Sequence, residues 1–165
     1  MNNIILIGMP GCGKSTLGVL LAKMAGYEFL DSDLIIQKQE NKRLFEIIES
    51  CGKDYFAKTE ENINSNINAA KTVIATGGSV VYSDKAMTHL KAIGTVVFLD
   101  INFEEIEQRV GNFSKRGILF YKGDTLKDLY EERMPLYKKY ADIIIDCNKK
   151  DIKDISFELI EKLKL

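Results

Sequence analysis

Residues Gly8-Met9-Pro10-Gly11-Cys12-Gly13-Lys14-Ser15 leave little freedom for the fold around them. They fit the spacing G-x-x-x-x-G-K-[ST], which carries chemistry only between a strand and a helix. Both flanks are present. Asn3 to Ile7 (NIILI) is apolar and β-branched and reads as a buried strand, and Ser15 to Met24 (STLGVLLAKM) repeats apolar residues at helical spacing. Such a loop binds phosphate. Its glycines let backbone N–H groups point inward around phosphate oxygens. The helix start adds unpaired N–H groups and the positive end of its dipole. Lys14 is placed to reach the β- and γ-phosphates of ATP, the Ser15 hydroxyl to hold Mg²⁺, and Thr16 to add a phosphate contact. Cys12 has two readings: a reactive thiol at a helix start, or a small residue filling a variable loop position.

The rest of the chain alternates short β-rich runs with helical patterns. Strands are expected at Tyr27 to Leu30, Thr72 to Thr76, Thr95 to Asp100 and Asp142 to Asp146. Helices are expected at Leu44 to Ser50, Tyr55 to Ala70, Asp84 to Lys91, Phe103 to Val110, Leu126 to Tyr140 and Ile152 to Leu163. Strands that are apolar throughout and separated by helices indicate a parallel sheet covered on both faces. The predicted fold is therefore α/β, a doubly wound five-stranded parallel sheet in one domain spanning residues 1–165. Ligands of such sheets bind beyond the carboxyl ends of the strands, where Gly8, Asp31, Gly77, Asp100 and Asp146 fall. Residues 111–124 (GNFSKRGILFYKGD) fit no regular element and read as a mobile lid.

Composition narrows the partners. The chain has 165 residues, 23 basic and 24 acidic side chains, and a formal net charge of −1, which does not favour nucleic acid. Any anion site must then come from a few local cations. Cys12, Cys51 and Cys147 are odd in number and widely spaced, so neither a disulfide framework nor a zinc site is expected. The amino terminus lacks the basic leader of a signal peptide, and no apolar run is long enough to span a membrane. A cytoplasmic monomer is expected.

Four further places carry candidate chemistry. Asp31-Ser32-Asp33 follows the second strand: one carboxylate can hold Mg²⁺ and the other can bind an acceptor hydroxyl and take its proton, or either can simply cap the next helix. Gly77-Gly78 follows the third strand and permits close approach of a ligand, or is an ordinary turn. Arg116, in residues 111–124, can neutralise a transferring phosphoryl group, and Arg133 can fork onto a carboxylate. For an isolated arginine the competing reading is a solvated surface.

Taken in order, GMPGCGKST, FLDSD, FAKTEE, ATGG, RGIL and ERMPLYKKYAD resemble shikimate kinase, within the nucleoside-monophosphate-kinase-like group of P-loop proteins. The resemblance covers almost the whole chain. It implies that Gly11, Cys12, Gly13, Lys14, Ser15 and Thr16 cradle ATP phosphates and that Ser15 binds Mg²⁺ with Asp31. It implies that Asp33 meets the hydroxyl to be phosphorylated, with Gly77 and Gly78 beside the cyclohexene acid and Arg133 on its carboxylate. Arg116 would touch ATP from the lid, and Asn148 would border the adenine. Lys14, Asp33 and Arg116 would be the catalytic set.

This chain departs from that pattern on the acceptor side. The family's F-R-x-x-E reads Phe56-Ala57-Lys58-Thr59-Glu60 here, so one arginine for the substrate carboxylate is missing. Lys58 leaves a helix about 100° away from Ala57. Lys53 or Arg43 are other candidate substitutes. The usual third glycine is Ser79, expected to crowd or hydrogen-bond the ligand. The lid motif R-P-L-L reads Arg116-Gly117-Ile118-Leu119. Alternative readings are a related kinase for quinate or gluconate, a nucleotide kinase, and a non-catalytic ATP-binding switch.

Overall fold

The computed structural model describes residues 3–110 and 125–165. Five strands form one parallel sheet: β1 (Asn3–Ile7), β2 (Glu28–Asp31), β3 (Thr72–Ala75), β4 (Gly94–Asp100) and β5 (Ile143–Asp146), in the order β2-β3-β1-β4-β5. Every residue of β1 and β3 is buried. Successive side chains point to opposite faces, so burial of all of them requires cover on both. That cover comes from α1 (Lys14–Ala25), α5 (Asp84–Ile93), α6 (Phe103–Val110), α7 (Leu126–Tyr140) and α8 (Ile152–Leu163), with α4 (Lys53–Ser65) packed against α5. Tyr137 of α7 stacks on Phe98 of β4 at 5.1 Å.

Two shorter helices, α2 (Ser32–Glu40) and α3 (Leu44–Cys51), stand beside this layer with α4. They close over a small separate core of Ile36, Ile47, Phe56 and Ile63. This lobe carries the wall opposite the glycine-rich loop. No helix among the described residues is long and apolar enough to cross a membrane.

Most expected elements are present, with three differences. The sequence pattern assigns nothing to α2, because Leu34-Ile35-Ile36 shows no helical period and Leu34 is exposed. The helix is started instead by Asp31, whose carboxylate accepts the N–H groups of Asp33 and Leu34. Second, α4 begins at Lys53 and stops at Ser65, not Ala70. Its asparagines turn inward on the helix: Asn64 and Asn66 donate to the carbonyls of Glu60 and Asn62. Third, a 3₁₀ turn covers Val80–Tyr82. The predicted lid lies outside the described residues.

One polar side chain ties the centre of the sheet to its neighbours. Asn3 is buried; its amide donates to the carbonyls of Ala69 and Ile93 at 2.8 and 3.0 Å, and its Oδ1 accepts the Thr72 N–H. Buried groups stripped of a partner cost ~1–3 kcal/mol each, so Asn3→Ala should destabilise the fold by about 3 kcal/mol. Urea unfolding reads this as a lower midpoint at unchanged slope; a midpoint equal to the parent's would contradict it.

Candidate active site

The loop between β1 and α1 has the geometry its glycines suggest. Gly11 and Gly13 sit at φ 79° and 101°, where a side chain would be strained. Gly13 also caps α1, and no side chain covers the first turn, leaving its N–H groups to face the cavity in front. Lys14 is buried at the floor of that cavity. Its Nζ donates to the carbonyls of Gly8 and Met9 at 2.7 and 3.0 Å. Cys12 faces the other way. Its thiol is buried in the core and its N–H donates to Met9, which fits a loop filler and not an exposed reactive thiol.

Beside the loop, the Ser15 hydroxyl donates to Asp31 Oδ2 at 2.6 Å. Asp31 Oδ1 meanwhile caps α2. The capping role and the functional role weighed for Asp31 are thus both present, on different oxygens. Capping turns α2 so that Asp33 looks across the cavity at Lys14.

The cavity encloses about 410 Å³. Pro10, Gly11, Gly13, Lys14, Ser15 and Thr16 form its loop wall, and Asp33, Leu44, Phe56 and Glu60 the wall facing them. Thr76, Gly77, Gly78 and Ser79 connect the two. The glycines are needed by the protein itself. A Cβ on Gly77 would strike Glu60 Oε1 and come within 2.9 Å of Asp33 Oδ1. One on Gly78 would press on Pro10 and lie 3.2 Å from Arg133 Nη1.

Arg133 is not on the surface. It is 1% exposed, with its guanidinium 5.3 Å from the Tyr82 ring centroid and its Nε donating to the Tyr82 hydroxyl. Tyr137, one turn further along α7, donates to the Gly78 carbonyl at 2.6 Å. Next to this cation a second cavity of about 290 Å³ opens at Ala57, bordered by Lys58, Glu60, Ser79, Tyr82 and Glu132. Arg43 and Lys53 border neither cavity.

The shikimate kinase family model matches residues 10–164. The chain belongs to the shikimate kinase family. It is 38% identical over 158 residues to the shikimate kinase of Clostridium botulinum (strain 657 / Type Ba4), covering 92% of this chain and 91% of that protein. It is 34% identical over 165 residues to the shikimate kinase of Sulfurihydrogenibium sp. (strain YO3AOP1), covering 99% of both. Among solved structures, shikimate kinase from Acinetobacter baumannii in complex with shikimate superposes with a TM-score of 0.92 at 30% identity, covering 99% of this chain and 93% of that one.

Within this family frame, Lys14, Ser15, Thr16, Asp33, Gly77 and Gly78 line one cavity, and Asp31 and Arg133 contact its walls. Asn148 stands elsewhere. Its amide and N–H donate to Asp146 Oδ1 and its Oδ1 accepts the Asn102 N–H, so it ties the loops after β4 and β5. Asp100 and Asp146 pair across those strands and do not line the cavity. Arg116 is outside the described residues. Ser79 does hydrogen-bond, but to Glu60, at 2.6 Å. Glu60 was missed as a site residue. Its signal was an acid on the buried Phe56/Ile63 face of α4, where an apolar residue is the default.

Two carboxyls dominate the electrostatics. Burial pushes Asp33 up to about 6, the Asp31 charge adds to the rise, and Lys14 opposes it. Burial lifts Glu60 to about 7; the Ser79 hydrogen bond resists, the Asp33 charge adds, and Arg133 and Lys14 resist. Among the described residues, Oδ1 of Asp33 and Oε1 of Glu60 have no hydrogen-bond partner.

Between about pH 4.5 and 7 the folded chain keeps a proton on Glu60 that the unfolded chain has released. Stability contributed by this group therefore falls as pH rises through that window. Glu60→Gln should stabilise the protein by up to ~3 kcal/mol at about pH 8 and by little at about pH 4. Thermal melts at both pH values measure the difference; equal gains would contradict it.

Proposed function

We propose that this chain transfers the γ-phosphoryl group of ATP to a hydroxyl of shikimate, giving ADP and shikimate 3-phosphate, a step toward aromatic amino acids. One observation carries the reading: Asp33 lines the same cavity as the glycine-rich loop and Lys14. An alcohol bound there satisfies the carboxylate and points its oxygen at a phosphate held by the loop.

The loop N–H groups and Lys14 bind and neutralise the triphosphate. Ser15 and Asp31 supply an all-oxygen pair suited to Mg²⁺. Among the described residues no group of three or more His, Cys, Asp or Glu is placed to hold a metal ion. An ion held there by Ser15 and Asp31 would supply positive charge against the phosphates. Asp33 orients the acceptor hydroxyl and receives its proton as the new P–O bond forms in line with the breaking bond to ADP. With its carboxyl near 6, Asp33 is ionised at neutral pH and still basic enough for that task. Arg133 binds the acid's carboxylate from behind Gly78. Arg116 is assigned the charge on the transferring group, and Asn148 the adenine edge. One copy of the chain supplies every group named, so a monomer suffices.

ADP release measured with shikimate, quinate and gluconate tests the substrate. Shikimate should give the highest kcat/KM. Turnover of another acid alone would make this a relative with a changed acceptor, and ATP binding without turnover of any acid would make it a nucleotide switch.

Ala57 removes one cation from the carboxylate end, and the cavity beside it has room for a longer side chain. Ala57→Arg should lower KM for shikimate by about thirtyfold, the lower end of the ~2–5 kcal/mol that desolvated charge pairs carry, with KM for ATP unchanged. Steady-state kinetics decide; an unchanged KM for shikimate would contradict the single-arginine account.

A further inference from the structure

We propose that this chain also phosphorylates hydroxy acids whose carboxyl group carries a neutral substituent, an alkyl amide above all, because the wall at Ala57 leaves the carboxyl end of the acceptor site open to solvent. This extends the acceptor reading above and rests on it. Glu60 and Ser79 border both the main cavity and the smaller one of about 290 Å³, so the two cavities meet there. Arg133 stands at the same junction. Its Nη1 lies 3.2 Å from where a Gly78 Cβ would sit on the main cavity, and its guanidinium lies 5.3 Å from the centroid of the Tyr82 ring on the smaller one. A carboxyl group held by Arg133 therefore lies at the inner mouth of the smaller cavity.

From that mouth the smaller cavity runs outward. Among the described residues, its inner border of Glu60 and Ser79 is buried, while Ala57, Lys58, Tyr82 and Glu132 are exposed. At ~30 Å³ per water its volume matches about nine waters, ample for a short alkyl chain. Ala57 ends at Cβ, so no side chain from that position of α4 bars the way. Charge favours a neutral substituent. Glu61 and Glu132 on the border are offset by Lys58 and Arg133, and burial holds Glu60 near 7. Glu61 is further tied by the Ser83 hydroxyl at 2.6 Å. An amide carbonyl can still accept from Arg133, through a weaker hydrogen bond than a carboxylate makes. The transfer step is the one described above: the hydroxyl oxygen bonds the γ-phosphorus, the bond to ADP breaks with its electron pair leaving on ADP, and Asp33 receives the hydroxyl proton. The substituent, at the far end of the acceptor, takes no part in it.

ADP release with shikimate and with its N-methyl, N-ethyl and N-butyl amides is the test. In the parent the amides should keep kcat/KM within about tenfold of shikimate, the cost of trading a charged for a neutral hydrogen bond. Lengthening the chain should change kcat/KM by less than about threefold, because an open border does not sense length. A loss of about tenfold or more per added methylene, as a closed pocket gives, would overturn the proposal, and so would turnover of shikimate with none of any amide. Ala57→Leu narrows the exit on an exposed helix position that accepts leucine. It should lower the ratio of kcat/KM for the N-butyl amide to that for shikimate by about tenfold, and an unchanged ratio would overturn the role of Ala57. Should the variant fail to fold, the amide series on the parent decides. If the parent turns over neither shikimate nor an amide, the function reading falls. Calorimetric binding of the N-ethyl amide to parent and Ala57→Leu then decides: weaker binding to the variant supports the open border, and equal binding, or none to either, overturns it.

Discussion

Asp31 joins the two halves of the molecule. One carboxylate oxygen takes the Ser15 hydroxyl at the start of α1, and the other takes the first N–H groups of α2. The helix that ends the phosphate loop and the helix that carries Asp33 are therefore referenced to the same side chain. Registration of β2 on β3, with Asp31 opposite Ala75, fixes how far that carboxylate stands from Gly77. Distances of an ångström or less matter for phosphoryl transfer, because positioning supplies much of the rate. A shared carboxylate is a short and stiff way to set them.

Charge balance then organises the cavity. A triphosphate and a carboxylic acid bring several negative charges to a chain whose net charge is only −1. Among the described residues, Lys14 behind the loop and Arg133 behind Gly78 are the buried cations beside the cavity. Burial also keeps Asp33 and Glu60 close to neutral pH in their titration, which limits their repulsion toward incoming anions. The same carboxyls regain charge when hydroxyl donors reach them. Tyr82 and Tyr137 complete this arrangement by holding the arginine and the Gly78 backbone in place.

The phosphate loop was legible because its signal is local: eight consecutive residues with a strand before and a helix after. The five strands were legible because they are apolar throughout, as strands buried on both faces must be. Asp33 and Gly77-Gly78 followed from the rule that ligands bind beyond strand ends, although the glycines prove to be required by Glu60 and Pro10 as well. What stayed hidden depends on contacts distant in sequence. The α2 helix starts from a side-chain cap, which periodicity does not register. Glu60 and Ser79 meet across 19 residues, and neither type announces function alone. Arg133 looked like a surface residue until family likeness picked it out; its burial comes from Tyr82, in a turn 51 residues away.

The central claim is geometric: one cavity holds a triphosphate on the Gly11–Ser15 backbone and an acceptor alcohol on Asp33. A crystal structure with a non-hydrolysable ATP analogue, Mg²⁺ and shikimate tests it most directly. The account predicts phosphate oxygens on the loop N–H groups, a shikimate hydroxyl within about 3 Å of the Asp33 carboxylate, and the carboxylate on Arg133. Shikimate bound away from Asp33, or phosphates outside the loop, would contradict it.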